Sequence, residues 1–126
     1  MEYEEITHKI IGAACNVYNQ LGFGFLESVY HKAIIIELAK NELKVESGKP
    51  LQVFYDGQGV GDFNVDLFIE NAVIVELKSV QNLAKDHGVQ LVNYLNGLRK
   101  DIGLLINFGV SRVEVKRKYR KPDSEN

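Results

Sequence analysis

The 126-residue sequence has few cysteines and no long apolar run. Disulfide frameworks and sulfur-based metal sites need the former, and secretion signals and membrane spans need the latter. Its one cysteine, Cys15, excludes an intrachain disulfide and a multi-cysteine zinc site. The first ten residues lack the basic and apolar regions of a signal peptide, and no apolar run approaches the length of a membrane span. We therefore expect a cytoplasmic protein without membrane association, in which Cys15 is a small buried residue of the first helix.

An excess of positive charge is also missing, since the formal net charge is -2. Nucleic-acid-binding domains are usually basic, so the net charge argues against attraction of the whole surface to nucleic acid. An acidic site that binds a cation first is still compatible with this charge. The basic residues gather near the C-terminal end, where we expect a solvated tail rather than a phosphate-binding patch: Lys116, Arg117, Lys118, Arg120 and Lys121.

Apolar spacing predicts an α/β protein. Residues 3–21 and 26–40 have helical periodicity, and a Gly-Phe-Gly break at 22–24 separates them. Alternation then predicts strands at 51–55 and 60–69 around an Asp-Gly turn, and a third strand at 72–80 after Glu-Asn. A helix at 85–100 and strands at 103–108 and 113–115 follow.

This order predicts an αβββαβ core with an extra N-terminal helix, in which the strands flanking the last helix are parallel. The length predicts a single domain over residues 1–121. Residues 122–126 are expected to form a disordered tail.

Two acidic residues and a lysine stand out within the predicted sheet. Asp66 lies ten residues before Glu76, and Lys78 follows Glu76 by two positions, so Glu76 and Lys78 share one face of their strand. An ion pair within the sheet would be the simpler explanation. Charges in an otherwise apolar strand are costly, however, unless a partner or a metal compensates them. Oxygen ligands suit Mg²⁺, so the pattern favours a divalent-metal site for phosphodiester hydrolysis.

Two further motifs accompany this pattern: G-x-x-E-x-x-Y from Gly24 to Tyr30, and Q-x-x-x-Y from Gln90 to Tyr94. Together they resemble the GxxExxY protein family, in the RecB-like branch of the PD-(D/E)XK nuclease superfamily, and the likeness covers residues 6–117. The resemblance implies a restriction-endonuclease-like fold, with a mixed sheet flanked by helices.

The resemblance also implies roles for individual residues. Asp66, Glu76 and the backbone carbonyl of Leu77 would bind Mg²⁺ or Mn²⁺. Lys78 would orient the attacking water and offset negative charge on the phosphorane oxygens. The remaining implied residues contribute to catalysis, hold the substrate or support the site: Glu27, Gln90, Tyr94, Tyr30 and His87.

Four of these residues have a simpler interpretation when each is considered alone. Glu27 suits the first turn of a helix, where the helix dipole favours an acid. Tyr30 and Tyr94 suit core packing with a hydrogen-bonded hydroxyl. His87 suits a structural place near a helix start.

The resulting hypothesis is hydrolysis of DNA phosphodiester bonds by metal-activated water. One alternative is a catalytically silent nucleic-acid-binding or protein-interaction module that keeps the fold. Another is an accessory subunit of a DNA repair or defence system. DNA or RNA as substrate, endonuclease or exonuclease mode, and a homodimer or larger complex all stay open.

Overall fold

A computed structural model describes residues 1–121, and the tail predicted at 122–126 lies outside the described residues. Three helices and five strands occur within residues 1–121. In chain order they are α1 (Tyr3–Leu21), α2 (Glu27–Lys40), β1 (Val45–Tyr55), β2 (Gln58–Ile69), β3 (Val73–Lys78), α3 (Lys85–Leu98), β4 (Ile102–Phe108) and β5 (Val113–Tyr119). None of the helices in this part of the chain is long and apolar enough to cross a membrane.

The strands form one mixed sheet in the order β1-β2-β3-β4-β5. Neighbouring strands are antiparallel except for β3 and β4, which are parallel and joined through α3. The predicted element order and the predicted parallel pair are therefore confirmed. Every residue of β4 is buried, which explains its continuous apolar run.

Apolar side chains cover both faces of the sheet. One layer joins α1 and α2 to the sheet and includes Val73, Val75 and Leu77 of β3. The other layer joins α3 to the sheet and includes Ile74 of β3. Because side chains of a strand alternate between faces, Glu76 lies on the same face as Ile74, beneath α3.

Two tight turns set the register of the central strands. Asp56 and Gly57 connect β1 to β2 with φ of 51° and 73°, as a primed hairpin turn requires. Glu70 and Asn71 connect β2 to β3 with φ of 55° and 53°. The second turn places Leu67 opposite Val75, so Asp66 and Glu76 follow at the next position of the two strands.

The first helix is bonded to the last part of the sheet. The Tyr18 hydroxyl donates to the carbonyl of Gly109 at 2.6 Å, directly after β4. Arg117 Nη1 of β5 donates to Thr7 Oγ1 at 3.3 Å. The helix α1 is thus held by residues about one hundred positions later in the chain.

The prediction that the basic residues near the C-terminal end form a solvated tail is wrong. Strand β5 extends from Val113 to Tyr119 and pairs with β4 along its whole length, so most of these residues belong to the sheet. Lys118 crosses the start of α3 at Gly88, where a Cβ would lie 2.9 Å from Lys118 Cε. Pairing with β4 outweighs the high charge of this segment, because an edge strand can present charged side chains to solvent.

Cys15 and the start of β1 also differ from expectation. Cys15 is exposed, because α1 turns Ala13, Ala14 and Val17 toward the core and carries the intervening positions outward. Strand β1 begins at Val45, six residues before its predicted start. Gly48 and Pro50 lower the strand signal of this segment, but β1 is an edge strand of the sheet, and an edge strand tolerates proline.

Candidate functional site

Asp66 and Glu76 face each other where the pairing of β2 with β3 ends. The backbone N–H of Asp66 donates to Glu76 Oε1 at 3.0 Å. The backbone N–H of Leu77 donates to Asp66 Oδ2 at 2.8 Å. The regular pairing of β2 with β3 ends at Leu67 and Val75. Past this point the carboxyls of Asp66 and Glu76 each accept a hydrogen bond from a backbone N–H of the opposite strand. The two predicted acids form a reciprocal pair within the sheet.

Glu76 is a buried acid whose surroundings favour its protonated form. Glu76 is 8% exposed. Burial, together with the negative charge of Asp66, raises the pKa of Glu76 to about 8, while the positive charge of Lys78 acts in the opposite direction. A cation with two positive charges would balance the charges of both carboxylates.

Helix α3 closes over the pair with two polar side chains. Gln90 and Tyr94 share a helix face at i and i+4, and Gln90 Nε2 donates to the Tyr94 hydroxyl at 2.5 Å. Burial and the charge of Glu76 raise the pKa of Tyr94, with a smaller effect from Asp66. Hydrogen bonds thus connect the strands at Asp66 and Glu76 and connect Gln90 with Tyr94, while Lys78 follows Glu76 on the same strand.

Glu27 lies apart from this group. It is exposed in the first turn of α2. The turn before it contacts the end of β3, because Ser79 Oγ donates to the carbonyl of Phe25 at 2.9 Å. Within residues 1–121, no three His, Cys, Asp or Glu side chains gather as a metal-binding group. A third acidic ligand from Glu27 stays a prediction.

Tyr30 supports the turn between α1 and α2 from the core. Its ring stacks on Phe108, with centroids 4.3 Å apart and planes at 9°. Its hydroxyl donates to the carbonyl of Gly22 and accepts from the N–H of Phe25 at 3.3 Å. The simpler interpretation of Tyr30, core packing with a bonded hydroxyl, therefore describes its place in the fold.

Replacing Tyr30 with phenylalanine should lower the free energy of unfolding by about 1–2 kcal/mol, because the Gly22 carbonyl and the Phe25 N–H lose their partner. Urea denaturation followed by circular dichroism measures the loss. The matched control is Tyr55→Phe, since Tyr55 is exposed and no comparable loss is expected there. Equal stability of the two variants would contradict the supporting role of the Tyr30 hydroxyl.

His87 closes the first turn of α3. Its Nδ1 accepts from the backbone N–H of Ala84 at 3.2 Å. Ala84 stands at the N-cap, where its methyl side chain has no oxygen to bind the helix. This hydrogen bond gives His87 a structural role at the start of α3, as its position in the sequence suggests.

Asn107 is a residue that the sequence pattern missed. It is fully buried in β4 and pairs with Lys78 of β3. Its side chain binds both the N–H and the carbonyl of Val80 at 2.9 Å, and also Glu114 Oε1 at 2.9 Å. Asn107 thereby fixes the backbone that leaves β3 directly after Lys78. The available signal was a single polar residue inside the apolar run at 104–108.

Comparison with known proteins extends this description. A family model for the PD-(D/E)XK nuclease superfamily matches residues 4–118. None of the curated proteins matches the chain. The crystal structure of SSO0001 matches with a TM-score of 0.60 and 18% sequence identity, over 76% of this chain and 50% of that chain. The chain thus spans about half the length of SSO0001, and the likeness confirms the predicted restriction-endonuclease-like α/β fold.

Proposed function

The chain belongs to the PD-(D/E)XK nuclease superfamily, and from this membership we propose that it hydrolyses phosphodiester bonds of DNA with Mg²⁺ or Mn²⁺. The observation that carries the proposal is the reciprocal pair of Asp66 and the buried Glu76, with Lys78 two residues further along the same strand. The motifs at Glu27 and Gln90 support placement in the GxxExxY family and the RecB-like branch. The composition favours a cytoplasmic protein.

The carboxyl pair suits a hard divalent cation. Asp66 and Glu76 each bind a backbone N–H through one oxygen, and each carboxyl has a second oxygen for a ligand. We assign the backbone carbonyl of Leu77 as a third ligand. Mg²⁺ commonly keeps several waters and takes only one or two protein carboxylates, so a large ligand set is not required. A bound cation would supply Lewis acidity and lower the pKa of a coordinated water.

The other residues act on the substrate and on the attacking water. Lys78 places a positive charge near Glu76, where it offsets the charge that builds on the phosphorane oxygens and orients the water. Gln90 and Tyr94 hold the substrate strand from the α3 side. Glu27 adds an acidic group from the start of α2, while Tyr30 and His87 hold the surrounding backbone.

Isothermal titration with MnCl₂ tests the cation site. The wild-type chain should bind one Mn²⁺ more tightly at pH 8.5 than at pH 6, because binding displaces the proton of the carboxyl pair. Asp66→Asn should remove this binding. Asp62→Asn is the matched control, since Asp62 is exposed on the same strand and should leave binding unchanged. Undiminished binding by Asp66→Asn would contradict the assignment.

Cleavage assays test the reaction itself. Labelled single-stranded DNA, duplex DNA and RNA are incubated with the chain and Mg²⁺, Mn²⁺ or EDTA. Cleavage of DNA that depends on the cation and is lost in Asp66→Asn supports the proposal. Intact substrates in every condition would contradict it.

A second candidate function is a nucleic-acid-binding or accessory module without turnover. One observation favours it: no three-residue ligand group occurs within residues 1–121. Such a module would act in a larger assembly or as a homodimer. It predicts binding of nucleic acid without Mn²⁺ binding and without cleavage, a result that the two assays together distinguish.

A further inference from the structure

The two longest strands extend beyond the rest of the sheet. Pairing of β2 with β3 covers Leu67 to Ile69, whereas pairing of β2 with β1 continues to Gln58. Residues 49–55 and 58–65 therefore form a two-stranded extension, here named the ribbon. Between the ribbon and α3 lies a groove of about 830 Å³, here named the ribbon groove. Its volume lies within the range typical of ligand sites.

The ribbon groove is lined by apolar and amide side chains. Phe54 is 61% exposed and Phe63 is 41% exposed, and Val53 and Val89 are also exposed. The amide side chains that line it are Gln52, Gln90, Asn93 and Asn96. Among the described residues that line it, Asp86 alone is charged. Exposed apolar side chains gathered in one concave surface mark a binding site, and this one is unsuited to phosphate.

The ribbon groove shares two lining residues with the candidate site. Gln90 and Tyr94 line the groove and also belong to the candidate site. The ring of Phe63 lies against that of Tyr94, with centroids 5.9 Å apart. Tyr94 in turn experiences the charges of Glu76 and Asp66. A molecule in the ribbon groove would therefore contact Gln90 and Tyr94, the two residues that the proposed function assigns to the substrate strand.

We propose that the ribbon groove binds unpaired nucleobases of the substrate strand, which makes single-stranded DNA, or a single-stranded end of a duplex, the preferred substrate. Nucleobases have apolar faces that stack on aromatic rings such as Phe54 and Phe63. Their polar edges pair with amides such as Asn93. In a duplex the base faces are stacked inside, so the bases would enter the ribbon groove only when unpaired.

This inference rests on the proposed function for the identity of the occupant, because the proposed function assigns Gln90 and Tyr94 of the groove to the substrate strand. Phosphates would point away from the groove, since its lining offers no cation and carries Asp86. A protein segment or a second copy of the chain could fill the same apolar surface, but it would also block access past Tyr94. These two occupants are outcomes of the test below.

Fluorescence anisotropy in EDTA tests the inference without any contribution from cleavage. Three probes are compared: a 12-nucleotide oligothymidine, an abasic strand of equal length and charge, and a blunt 12-base-pair duplex. The oligothymidine should bind at least about tenfold more tightly than the other two, which is the effect expected of base stacking. Phe54→Ala should weaken oligothymidine binding by about tenfold.

The matched control is Tyr55→Ala, because Tyr55 is an exposed aromatic residue next to Phe54 that does not line the groove. Tyr55→Ala should bind like the wild type. Val89→Ser provides a second variant on α3 and should also weaken binding. Thermal unfolding of all three variants verifies that they fold.

Three results would overturn the inference: equal affinity for the abasic strand, undiminished binding by both groove variants, or a change of sedimentation coefficient in these variants without a change in DNA binding. The last result would identify the groove as a contact between copies. Because binding is measured in EDTA, it can fail while cleavage persists, and it can succeed while cleavage is absent. The two proposals are thus separately testable.

Discussion

Replacing Glu76 with glutamine should stabilise the fold at alkaline pH and abolish metal-dependent cleavage. The glutamine carbonyl can still accept from the Asp66 N–H, and its NH₂ group can donate to the Asp66 carboxylate. The amide therefore mimics the protonated acid at every pH. It cannot provide the charge that a divalent cation requires, and loss of several kcal/mol of transition-state stabilisation lowers the cleavage rate by about a thousandfold or more.

The direction of the pH effect follows from the raised pKa of Glu76, about 8 in the folded chain against 4.5 for the isolated group. Between these values the folded chain holds a proton that the unfolded chain has released. The stabilising contribution is complete below pH 4.5 and is lost as the pH rises to about 8. At pH 8.5 the variant should exceed the wild type by an amount on the order of 4 kcal/mol.

Urea denaturation in EDTA at pH 5, 7 and 8.5 measures this effect. The difference between wild type and Glu76→Gln isolates one carboxyl pair, because all other titrating groups are common to both chains. Adding Mn²⁺ at pH 8.5 should stabilise the wild type and leave the variant unchanged. A constant difference between the chains at all three pH values would contradict the raised pKa.

Replacing Lys78 with methionine should lower the cleavage rate by about a hundredfold to a thousandfold, the effect of removing one group that stabilises transition-state charge. Metal binding should persist, because Lys78 is not among the proposed ligands. It should even strengthen slightly, since the variant removes a positive charge close to Glu76. Single-turnover cleavage and calorimetry with Mn²⁺ measure the two quantities separately.

The matched control is Lys32→Met, because Lys32 is an exposed lysine on α2 and should leave both quantities unchanged. Loss of Mn²⁺ binding in Lys78→Met would make Lys78 a structural residue of the site. An unchanged cleavage rate would remove it from the mechanism altogether.

Much of the fold could be predicted because local signals and tertiary packing agree. The periodicity of residues 3–21 matches α1 at both ends. The Asp-Gly and Glu-Asn pairs adopt the positive φ values that tight connections require. The spacing of Asp66 and Glu76 around the second turn was sufficient to predict that the two acids would meet, since the turn fixes the register of the strands.

Other features depend on interactions that sequence spacing does not encode. The proton held by Glu76 arises from burial beneath α3 and from the nearby charge of Asp66. The ribbon groove exists because β1 and β2 run past the end of β3, and the length of one strand relative to another is a tertiary property. The sequence of β5 is rich in basic residues, which is typical of a solvated tail, and its strand structure depends on pairing with β4.

The attachment of α1 to the end of β4 and to β5 also constrains when the protein can fold during translation. The hydrogen bonds of Tyr18 and Thr7 can form only after their partners Gly109 and Arg117 have been synthesised. These partners are 91 and 110 residues further along the chain. At typical rates of synthesis this interval lasts about 5–20 s. For that time the apolar face of α1 lacks its contacts with β4 and β5, so the nascent chain exposes part of this face to aggregation and to chaperones until those strands have formed.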